Sequence, residues 1–420
     1  MKAVLVGVKL DNQNQLDFEH EMEELKNLAT ACNIESIETV TQNLDSFHPV
    51  TYIGKGKVEE IKMVVEASEA DVVIFNDELS PIQISNLQDR LDVSIFDRTY
   101  LILEIFKSRA KTREAIIQVE IASLNYMLPR LVGLRQGLSR QRGTGGGFAH
   151  GRGAGESKLE LDRRINKDKI TALKRELVEL SKTRKQQREK RKKNDVPTVC
   201  LVGYTNSGKS TLMNCLLEKA KSNEEKKVFQ KDMLFATLET SSRRISLEEG
   251  NFILTDTVGF IEKLPHNLIE AFKSTLEEIT EANLIVHVVD GSNEKFLNQI
   301  SATNKVLEEL GVDNIPIIYA FNKIDKVEDY LYIPNDYPEA VRISALNKTN
   351  IDYLIKVILE KVYCDYVNGE FYIPYGKENI MFKIKESAIF VNVEYLDDGI
   401  LLKCKTNEYT INKYQEYQKK

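Results

Sequence analysis

A glycine-rich segment near the middle of the chain has the residue types and spacing that hold the phosphates of a nucleotide. It consists of Gly203, Tyr204, Thr205, Asn206, Ser207, Gly208, Lys209 and Ser210. The glycines allow backbone N–H groups to turn toward a β-phosphate, and the Lys209 ammonium neutralises β- and γ-phosphate oxygens. The Ser210 hydroxyl is expected to ligate Mg²⁺. An apolar strand before the segment and a predicted helix over 211–220 after it give the context that a phosphate loop requires.

A second segment follows the apolar strand over 252–254 and is placed to sense a γ-phosphate. It consists of Asp256, Thr257, Val258 and Gly259. At the end of a strand, Asp256 can hold Mg²⁺ through a water molecule, and the Gly259 N–H can donate to the γ-phosphate. The two segments together predict hydrolysis of a nucleoside triphosphate.

A polar linker between these segments supplies a candidate second metal ligand. It contains Phe235, Ala236, Thr237, Leu238 and Glu239. We assign Thr237 as the ligand, with Thr240 as the alternative and an ordinary surface threonine as the simpler interpretation. Ser210 and Thr237 are thus the predicted metal ligands, and Lys209, Thr237 and Gly259 the predicted catalytic residues.

Two short segments near the end of the same region predict which base is bound. The first is Asn322, Lys323, Ile324 and Asp325, and the second is Ser344, Ala345 and Leu346. The Asp325 carboxylate can accept paired hydrogen bonds from guanine N1–H and the 2-amino group, whereas adenine offers no such pair of donors. The second segment fits a backbone contact to guanine O6. We therefore expect GTP as substrate and GDP as product.

The residue after Gly259 is Phe260, where many small GTPases carry a glutamine that orients the attacking water. A phenyl ring cannot position or polarise water. Either the ring turns away and another group takes this role, or hydrolysis by the free protein is slow until a partner completes the site. We expect the slow free state and completion by a partner. The alternative interpretation, that Phe260 only packs beneath the loop, is compatible with the same slow free state.

Composition describes an ordinary globular chain and excludes several classes of protein. The 420 residues are 42% hydrophobic and 29% charged, and they contain no apolar run long enough to cross a bilayer. The five cysteines show no C-x-x-C spacing, so neither a disulfide framework nor a zinc site is predicted. We expect a cytoplasmic monomer without a membrane span.

The net charge of −6 conceals a strongly basic segment. Residues 130–195 contain 20 lysines and arginines against 8 aspartates and glutamates, a local net charge of +12. Such segregation is typical of a surface that contacts the phosphate backbone of RNA. A solvated, charged helix explains the charge alone equally well.

The pattern of apolar residues predicts a multidomain α/β protein in four regions. Residues 1–110 alternate strands and amphipathic helices, which indicates a parallel sheet. In 111–195 we expect a helical hairpin: one helix ends at Pro129, a Gly/Arg-rich loop occupies 133–155, and a second helix covers 157–193. Residues 196–365 form the nucleotide-binding α/β domain, and 366–420 a small α+β domain with a strand hairpin turning at 397–399.

Gly54, Lys55, Gly56 and Lys57 stand before a predicted helix and raise the question of a second phosphate site. The full phosphate-loop spacing is absent. A structural turn or an RNA contact is the favoured interpretation.

The chain as a whole resembles the HflX family within the translation-factor class of P-loop GTPases. Besides the nucleotide motifs, the resemblance rests on the segments 52–57, 76–81, 97–99 and 151–160. At the last of these the family usually shows R-G-P-G-E-T-Q-L-E, whereas this chain has Ala154, Ser157 and Lys158 at three of the positions. The match covers about residues 1–365 and is loose beyond them.

The resemblance implies a GTPase that binds the large ribosomal subunit and its RNA through the N-terminal domain and hairpin. It also implies ribosome-stimulated hydrolysis and a role in ribosome splitting or rescue under stress, and ATP binding by the N-terminal domain has been proposed in the family. The alternative function is an assembly factor that binds RNA and in which GTP hydrolysis times release from a maturing particle.

Overall fold

The structure is a computed structural model. It describes residues 1–141, 152–192, 196–220, 241–247, 249–257, 259–261, 263, 278–312, 314–327, 332–337, 339–386 and 388–418. The chain divides into two compact units. The first is built mainly from Met1–Lys182, and the second mainly from Thr183–Lys231, Glu239–Glu262 and Ser274–Lys420.

The first unit opens with a parallel α/β domain. Its strands are β1 (Lys2–Leu10), β2 (Glu35–Leu44), β3 (Val72–Phe75) and β4 (Ser94–Asp97), in the sheet order β2-β1-β3-β4. Its helices are α1 (Gln15–Ala31), α2 (Lys55–Ser68), α3 (Pro81–Leu91) and α4 (Arg98–Arg109). The predicted parallel sheet is confirmed. Strand β2 was not expected, because a mostly polar strand at the sheet edge lacks the apolar run that marks the three others.

A buried polar group joins this domain to the next helix. Asp97 is fully buried and accepts hydrogen bonds from the Tyr100 N–H at 2.8 Å and from the Tyr126 hydroxyl at 2.8 Å. The Arg130 guanidinium lies 3.3 Å from the same carboxylate. Because Tyr126 and Arg130 belong to the following helix, this carboxylate fixes where the hairpin begins relative to β4.

The hairpin consists of two long helices, α5 (Arg113–Gln141) and α6 (Arg152–Lys192). They pack antiparallel, since Arg113 bonds Glu176 at 2.7 and 2.8 Å while Glu120 pairs with Lys169 at 2.6 Å. A small apolar core lies between them. Its buried members are Ile117, Ile121, Ile170 and Leu173.

Two predictions about the hairpin were wrong. Pro129 lies inside α5 and does not end it. A proline inside a helix costs about 3 kcal/mol, but Tyr126 and Arg130 on either side are held by Asp97, so tertiary contacts outweigh that cost. The predicted loop over 133–155 is also too long, because α5 continues to Gln141 and α6 begins at Arg152. The glycine-rich core of that loop lies outside the described residues.

The second unit contains a six-stranded sheet. Its strands are β5 (Thr198–Val202), β6 (Ser241–Ser246), β7 (Asn251–Asp256), β8 (Leu284–Asp290), β9 (Ile317–Asn322) and β10 (Ala340–Arg342), in the order β10-β9-β8-β5-β7-β6. All neighbours are parallel except β6 and β7. The helices are α7 (Lys209–Lys219), α8 (Phe296–Glu309) and α9 (Ile351–Val362), with a 3₁₀ turn at Ile324–Lys326. The carboxyl ends of β5, β7, β8 and β9 meet at one edge, which is where ligands bind in such sheets.

The C-terminal part is the expected small α+β region. Strands β11 (Val367–Pro374), β12 (Ala388–Tyr395) and β13 (Gly399–Thr406) form an antiparallel sheet in the order β11-β13-β12. Helices α10 (Glu378–Glu386) and α11 (Glu408–Lys413) complete it, with a 3₁₀ turn at Gln415–Tyr417. The predicted α/β class with a helical hairpin, a P-loop domain and this α+β region is confirmed.

The C-terminal sheet is attached to the turn between β6 and β7. The Phe390 N–H donates to the Glu249 carbonyl at 2.8 Å, and Ile389 is buried in the core of the six-stranded sheet domain. A Cβ on Gly250 would lie 3.0 Å from Ile389, so the turn and β12 are in close contact. The C-terminal region therefore braces the strand pair that leads into the Asp256 segment.

None of the helices, as far as the described ranges extend, combines the length and hydropathy needed to cross a bilayer.

Candidate nucleotide-binding site

Two glycines of the phosphate loop have backbone geometry and surroundings that other residues could not adopt without strain. Gly203 has φ +147°, and a Cβ there would lie 2.2 Å from the Val288 carbonyl. Gly208 has φ +98°, and a Cβ would lie 2.2 Å from Asn322 Nδ2. Both conformations favour glycine. The tight loop that follows β5 therefore depends on the glycine spacing in the sequence.

Lys209 begins α7 and is buried inside the loop. Its Nζ donates to the carbonyls of Gly203 at 2.9 Å and Tyr204 at 2.8 Å. Burial lowers the pKa of Lys209 to about 8, with Asp256 acting in the opposite direction. Phosphate oxygens beside the ammonium would favour the charged form. The loop thus holds a cation at the position where the sequence predicts β- and γ-phosphate contacts.

Ser210 and Asp256 are brought together at the predicted metal position. Ser210 Oγ donates to Asp256 Oδ2 at 2.8 Å. A hydroxyl and a carboxylate at the carboxyl edge of the sheet are oxygen ligands of the kind that Mg²⁺ prefers, so these residues fit the ion. The other predicted ligand, Thr237, lies outside the described residues with its neighbours Phe235, Ala236, Leu238 and Glu239. The assignment of Thr237 remains a prediction.

Two further hydroxyls point to a ligand in the loop. Thr205 Oγ1 and Ser207 Oγ are buried, and within the described part of the chain they have no hydrogen-bond partner. A buried hydroxyl left unpaired costs about 1–3 kcal/mol. Phosphate oxygens are acceptors that would satisfy such groups. The loop therefore fits a bound nucleotide.

The segment after β7 lies directly against the phosphate loop. The Thr205 N–H donates to the Phe260 carbonyl at 2.7 Å, and the Phe260 N–H donates to the Gly203 carbonyl at 3.1 Å. A Cβ on Gly259 would lie 2.9 Å from Thr205 and 3.0 Å from Lys209 Nζ, so a larger residue there would force these side chains to shift. Thr257 is buried and donates through its hydroxyl to the Leu201 carbonyl at 2.7 Å. Val258 lies outside the described residues.

Phe260 itself is 2% exposed. Its ring is packed into the protein and its backbone bridges the two loops, which agrees with the packing interpretation of this residue. An apolar side chain at this position supplies no group that could orient water.

Asn322 ties the base-binding segments to the phosphate loop. Its Nδ2 donates to the Ser207 carbonyl at 2.9 Å, and its Oδ1 accepts from the Ala345 N–H at 2.9 Å. The buried side chain of Asn322 therefore connects three of the predicted segments. Its hydrogen bond to Ser207 holds the end of β9 close to the loop that follows β5.

Asp325 and Ser344 meet at the predicted guanine edge. Asp325 is exposed, and its Oδ1 accepts from the Ser344 hydroxyl at 2.5 Å. The same hydroxyl accepts from the Asn347 N–H at 3.1 Å. Ser344 thereby holds the Asp325 carboxylate in one orientation. Ile324 lies in the 3₁₀ turn, and Leu346 is 70% exposed.

One charged residue beside this site was missed by the sequence reasoning. Asp290, the last residue of β8, accepts a hydrogen bond from Lys323 Nζ at 2.7 Å. An aspartate at a strand end can be noticed in the sequence, but only the pairing of β8 with β9 shows that it faces Lys323.

The segment around Gly54 has local partners that suit a structural turn. The Gly54 N–H donates to Gln42 Oε1 at 3.0 Å, and Lys57 pairs with Glu60 at 2.7 Å. The Gly54 N–H and the Lys57 ammonium are therefore engaged within the N-terminal domain.

Asp325→Asn is expected to shift the base preference from GTP toward xanthosine triphosphate, because an amide can donate to the xanthine 2-oxygen that a carboxylate repels. Losing the paired hydrogen bonds to guanine costs about 2 kcal/mol, roughly a 30-fold loss of GTP affinity. Competition binding with both nucleotides measures the shift. Asp336→Asn, at an exposed aspartate of the same unit, is the matched control. An unchanged preference for GTP would remove Asp325 from base recognition.

Three family models match successive parts of the chain. Residues 19–107 match "GTP-binding GTPase N-terminal", 109–191 match "GTP-binding GTPase Middle Region", and 198–323 match "50S ribosome-binding GTPase". The third match covers the phosphate loop and the Asp256 segment, and it ends at Lys323, within the first base-binding segment.

Curated relatives match almost the full length. A GTPase HflX of Caldanaerobacter subterraneus subsp. tengcongensis is 44% identical over 404 residues, covering 96% of this chain and 90% of the relative. One of Lacrimispora saccharolytica is 42% identical over 408 residues, covering 96% and 92%. One of Escherichia coli is 40% identical over 366 residues, covering 86% and 83%.

Proposed function

Because the chain belongs to the HflX family of GTPases, we propose that it binds the large ribosomal subunit and uses GTP to split or rescue ribosomes under stress. The observation that carries the proposal is the match of residues 198–323 to the 50S ribosome-binding GTPase family, on the same chain as a basic helical hairpin. We also propose that the protein is cytoplasmic and monomeric.

In this proposal the residues of the phosphate loop bind the phosphates, and a water molecule is the nucleophile. Lys209 turns from the loop carbonyls toward the β- and γ-phosphate oxygens, and the Gly259 N–H donates to the γ-phosphate. Ser210 and Thr237 would ligate Mg²⁺, and Asp256 would hold it through water. When bound there, the ion would supply positive charge to neutralise the phosphates during hydrolysis.

The hairpin supplies the RNA-binding surface in this proposal. The basic residues Arg163, Arg164 and Lys167 are exposed along α6, and the basic segment carries a net charge of +12 over residues 130–195. Contacts of this kind are electrostatic and release counterions from the phosphate backbone, so they weaken as salt rises.

Sucrose-gradient sedimentation of intact ribosomes with the protein and a non-hydrolysable GTP analogue tests the proposed function. We expect the subunit-joined peak to decrease and the protein to migrate with large subunits. An unchanged peak would contradict splitting. If the protein instead migrated only with immature large-subunit particles, the assembly-factor function would replace the proposed one.

Deletion of residues 143–155 is expected to weaken binding to the large subunit without weakening GTP binding, because the glycine-rich loop is far in sequence from the nucleotide segments. Affinity of the intact protein should also fall by about 10³ or more between about 50 and 200 mM salt if six or more phosphates are contacted. Filter binding at several salt concentrations measures both effects.

Arg142→Gln with Arg152→Gln, one residue beside the deleted segment and one within it, is the charge-only variant for comparison, since it keeps the loop length. It should lower the slope of log affinity against log salt by about 2. A salt-independent interaction would show that the hairpin binds a protein partner.

A further inference from the structure

An ion pair connects Lys323 of the base-binding segment to Asp290 at the end of β8. Lys323 Nζ lies 2.7 Å from Asp290 Oδ2, and the two side chains are only 18% and 17% exposed. Asp290 ends β8 directly opposite Asn322, which ends β9. The Gly291 N–H donates to the Asn322 carbonyl at 2.8 Å and continues the pairing one residue further. The carboxylate is therefore fixed relative to the segment that contains Asp325.

The other oxygen of the same carboxylate is held by its own loop. Asp290 Oδ1 accepts from the Ser292 N–H at 3.1 Å and from the Ser292 hydroxyl at 2.6 Å. These two bonds fix the orientation of the carboxylate and direct Oδ2 at Lys323. A lysine has a flexible four-carbon stem, so an acceptor that is itself immobile is needed to hold its ammonium in one place.

The backbone of Lys323 adds a reason for such a constraint. Lys323 has φ +63° and directly precedes the 3₁₀ turn Ile324–Lys326. A non-glycine residue in this conformation is held there by its surroundings. The ion pair with Asp290 helps to keep Lys323 in this backbone conformation. The Asp325 carboxylate lies two residues further along the same turn.

We propose that Asp290 is a positioning residue for guanine-nucleotide binding, acting by fixing Lys323 and the turn that presents Asp325. It does not touch the base. Without the carboxylate, the Lys323 ammonium loses its partner and samples several positions, and the turn is held less firmly, so the nucleotide leaves faster. Because Asp290 acts at the base end of the site, the effect is equal for GDP and GTP.

This inference rests on guanine-nucleotide binding and not on the ribosome-directed part of the proposed function. It is therefore tested on the free full-length protein, and its failure would leave the sedimentation experiment unaffected.

Release of a fluorescent GDP analogue, followed by stopped flow, measures the effect. Asp290→Ala and Lys323→Ala are each expected to accelerate release by about 10-fold, the size typical of a charge-assisted hydrogen bond. In the double variant, release should be no faster than in the faster single variant, because both changes remove one interaction. If the two residues acted independently, their effects would instead multiply.

Asp352→Ala is the matched control, since Asp352 also pairs with a lysine at 2.7 Å, Lys219, in the same unit. It should release GDP at the unmodified rate. Asp290→Asn keeps the oxygen that accepts from Ser292 and removes only the charge. If Asp290→Ala fails to fold, this variant is tested instead, and release should be accelerated by a few fold. Unchanged release in the Asp290→Asn variant, multiplied effects in the double variant, or equal acceleration by Asp352→Ala would overturn the proposal.

Discussion

Lys209→Ala should lower the affinity for GTP and GDP by about 100-fold and abolish measurable hydrolysis. The ammonium is the buried cation of the phosphate loop, and its present acceptors are the carbonyls of Gly203 and Tyr204. Two charge-assisted hydrogen bonds to phosphate oxygens, at about 1.5 kcal/mol or more each, account for the expected loss. Isothermal titration calorimetry measures the affinity, and phosphate release measures turnover.

The N-terminal unit should remain folded in that variant, because its sheet and hairpin have their own cores. Lys219→Ala is the control: it lies at the far end of the same helix and pairs with Asp352 at 2.7 Å. Surface ion pairs of this kind contribute about 0–1 kcal/mol, so nucleotide binding should not change. Normal turnover by the Lys209 variant would refute the phosphate-loop assignment.

The nucleotide segments could be identified from the sequence because each is a run of consecutive residues. The glycines of the phosphate loop are required by local geometry, as the close approach of a Cβ on Gly203 to the Val288 carbonyl shows. In such cases the residue type and its immediate neighbours determine the conformation. The sequence indicated that a glycine was needed at position 203, but it did not indicate that Val288 would be its contact partner.

Contacts between distant segments could not be predicted in the same way. Asp290 and Lys323 are 33 residues apart and meet only because β8 and β9 are neighbours. Ile389 likewise reads as part of the C-terminal region, yet it is buried in the core of the six-stranded sheet domain. Strand pairing and sheet packing decide both positions, and neither has a local sequence pattern.

The error at Pro129 has the same origin. A local rule ends a helix near proline, and here tertiary contacts overrule it, since Tyr126 and Arg130 both reach the buried Asp97. Each of these residues has an unremarkable polar or aromatic side chain in the sequence. The glycines at 133 and 137 also lie within α5, where each costs about 1 kcal/mol relative to alanine.

The C-terminal region contacts the strand that leads to Asp256. Phe390 has φ +50° at an irregularity in β12, and its N–H is thereby available to the Glu249 carbonyl at 2.8 Å. The Tyr363 hydroxyl donates to the Asn251 carbonyl at the start of β7. Strand β7 ends at Asp256, so both contacts hold the strand that positions the predicted metal-binding carboxylate.

Phe260 leads to the prediction with the largest expected change in rate. The ring is buried and its N–H and carbonyl groups bond to Gly203 and Thr205, so this residue holds two loops together and has no group for catalysis. Hydrolysis then lacks a water-positioning side chain at the position where many GTPases have one. In the function proposed above, a partner completes this site, and that partner is the large ribosomal subunit.

We therefore expect slow turnover by the free protein and acceleration by about 10³ to 10⁵ on large ribosomal subunits, most of it in kcat. Single-turnover hydrolysis with and without purified large subunits measures this, and small subunits serve as the control partner. Phe260→Leu, which keeps an apolar side chain in the same buried place, should remain slow when free and should still be stimulated. Fast hydrolysis by the free protein, or binding to the subunit without acceleration, would contradict a mechanism in which the partner completes the site.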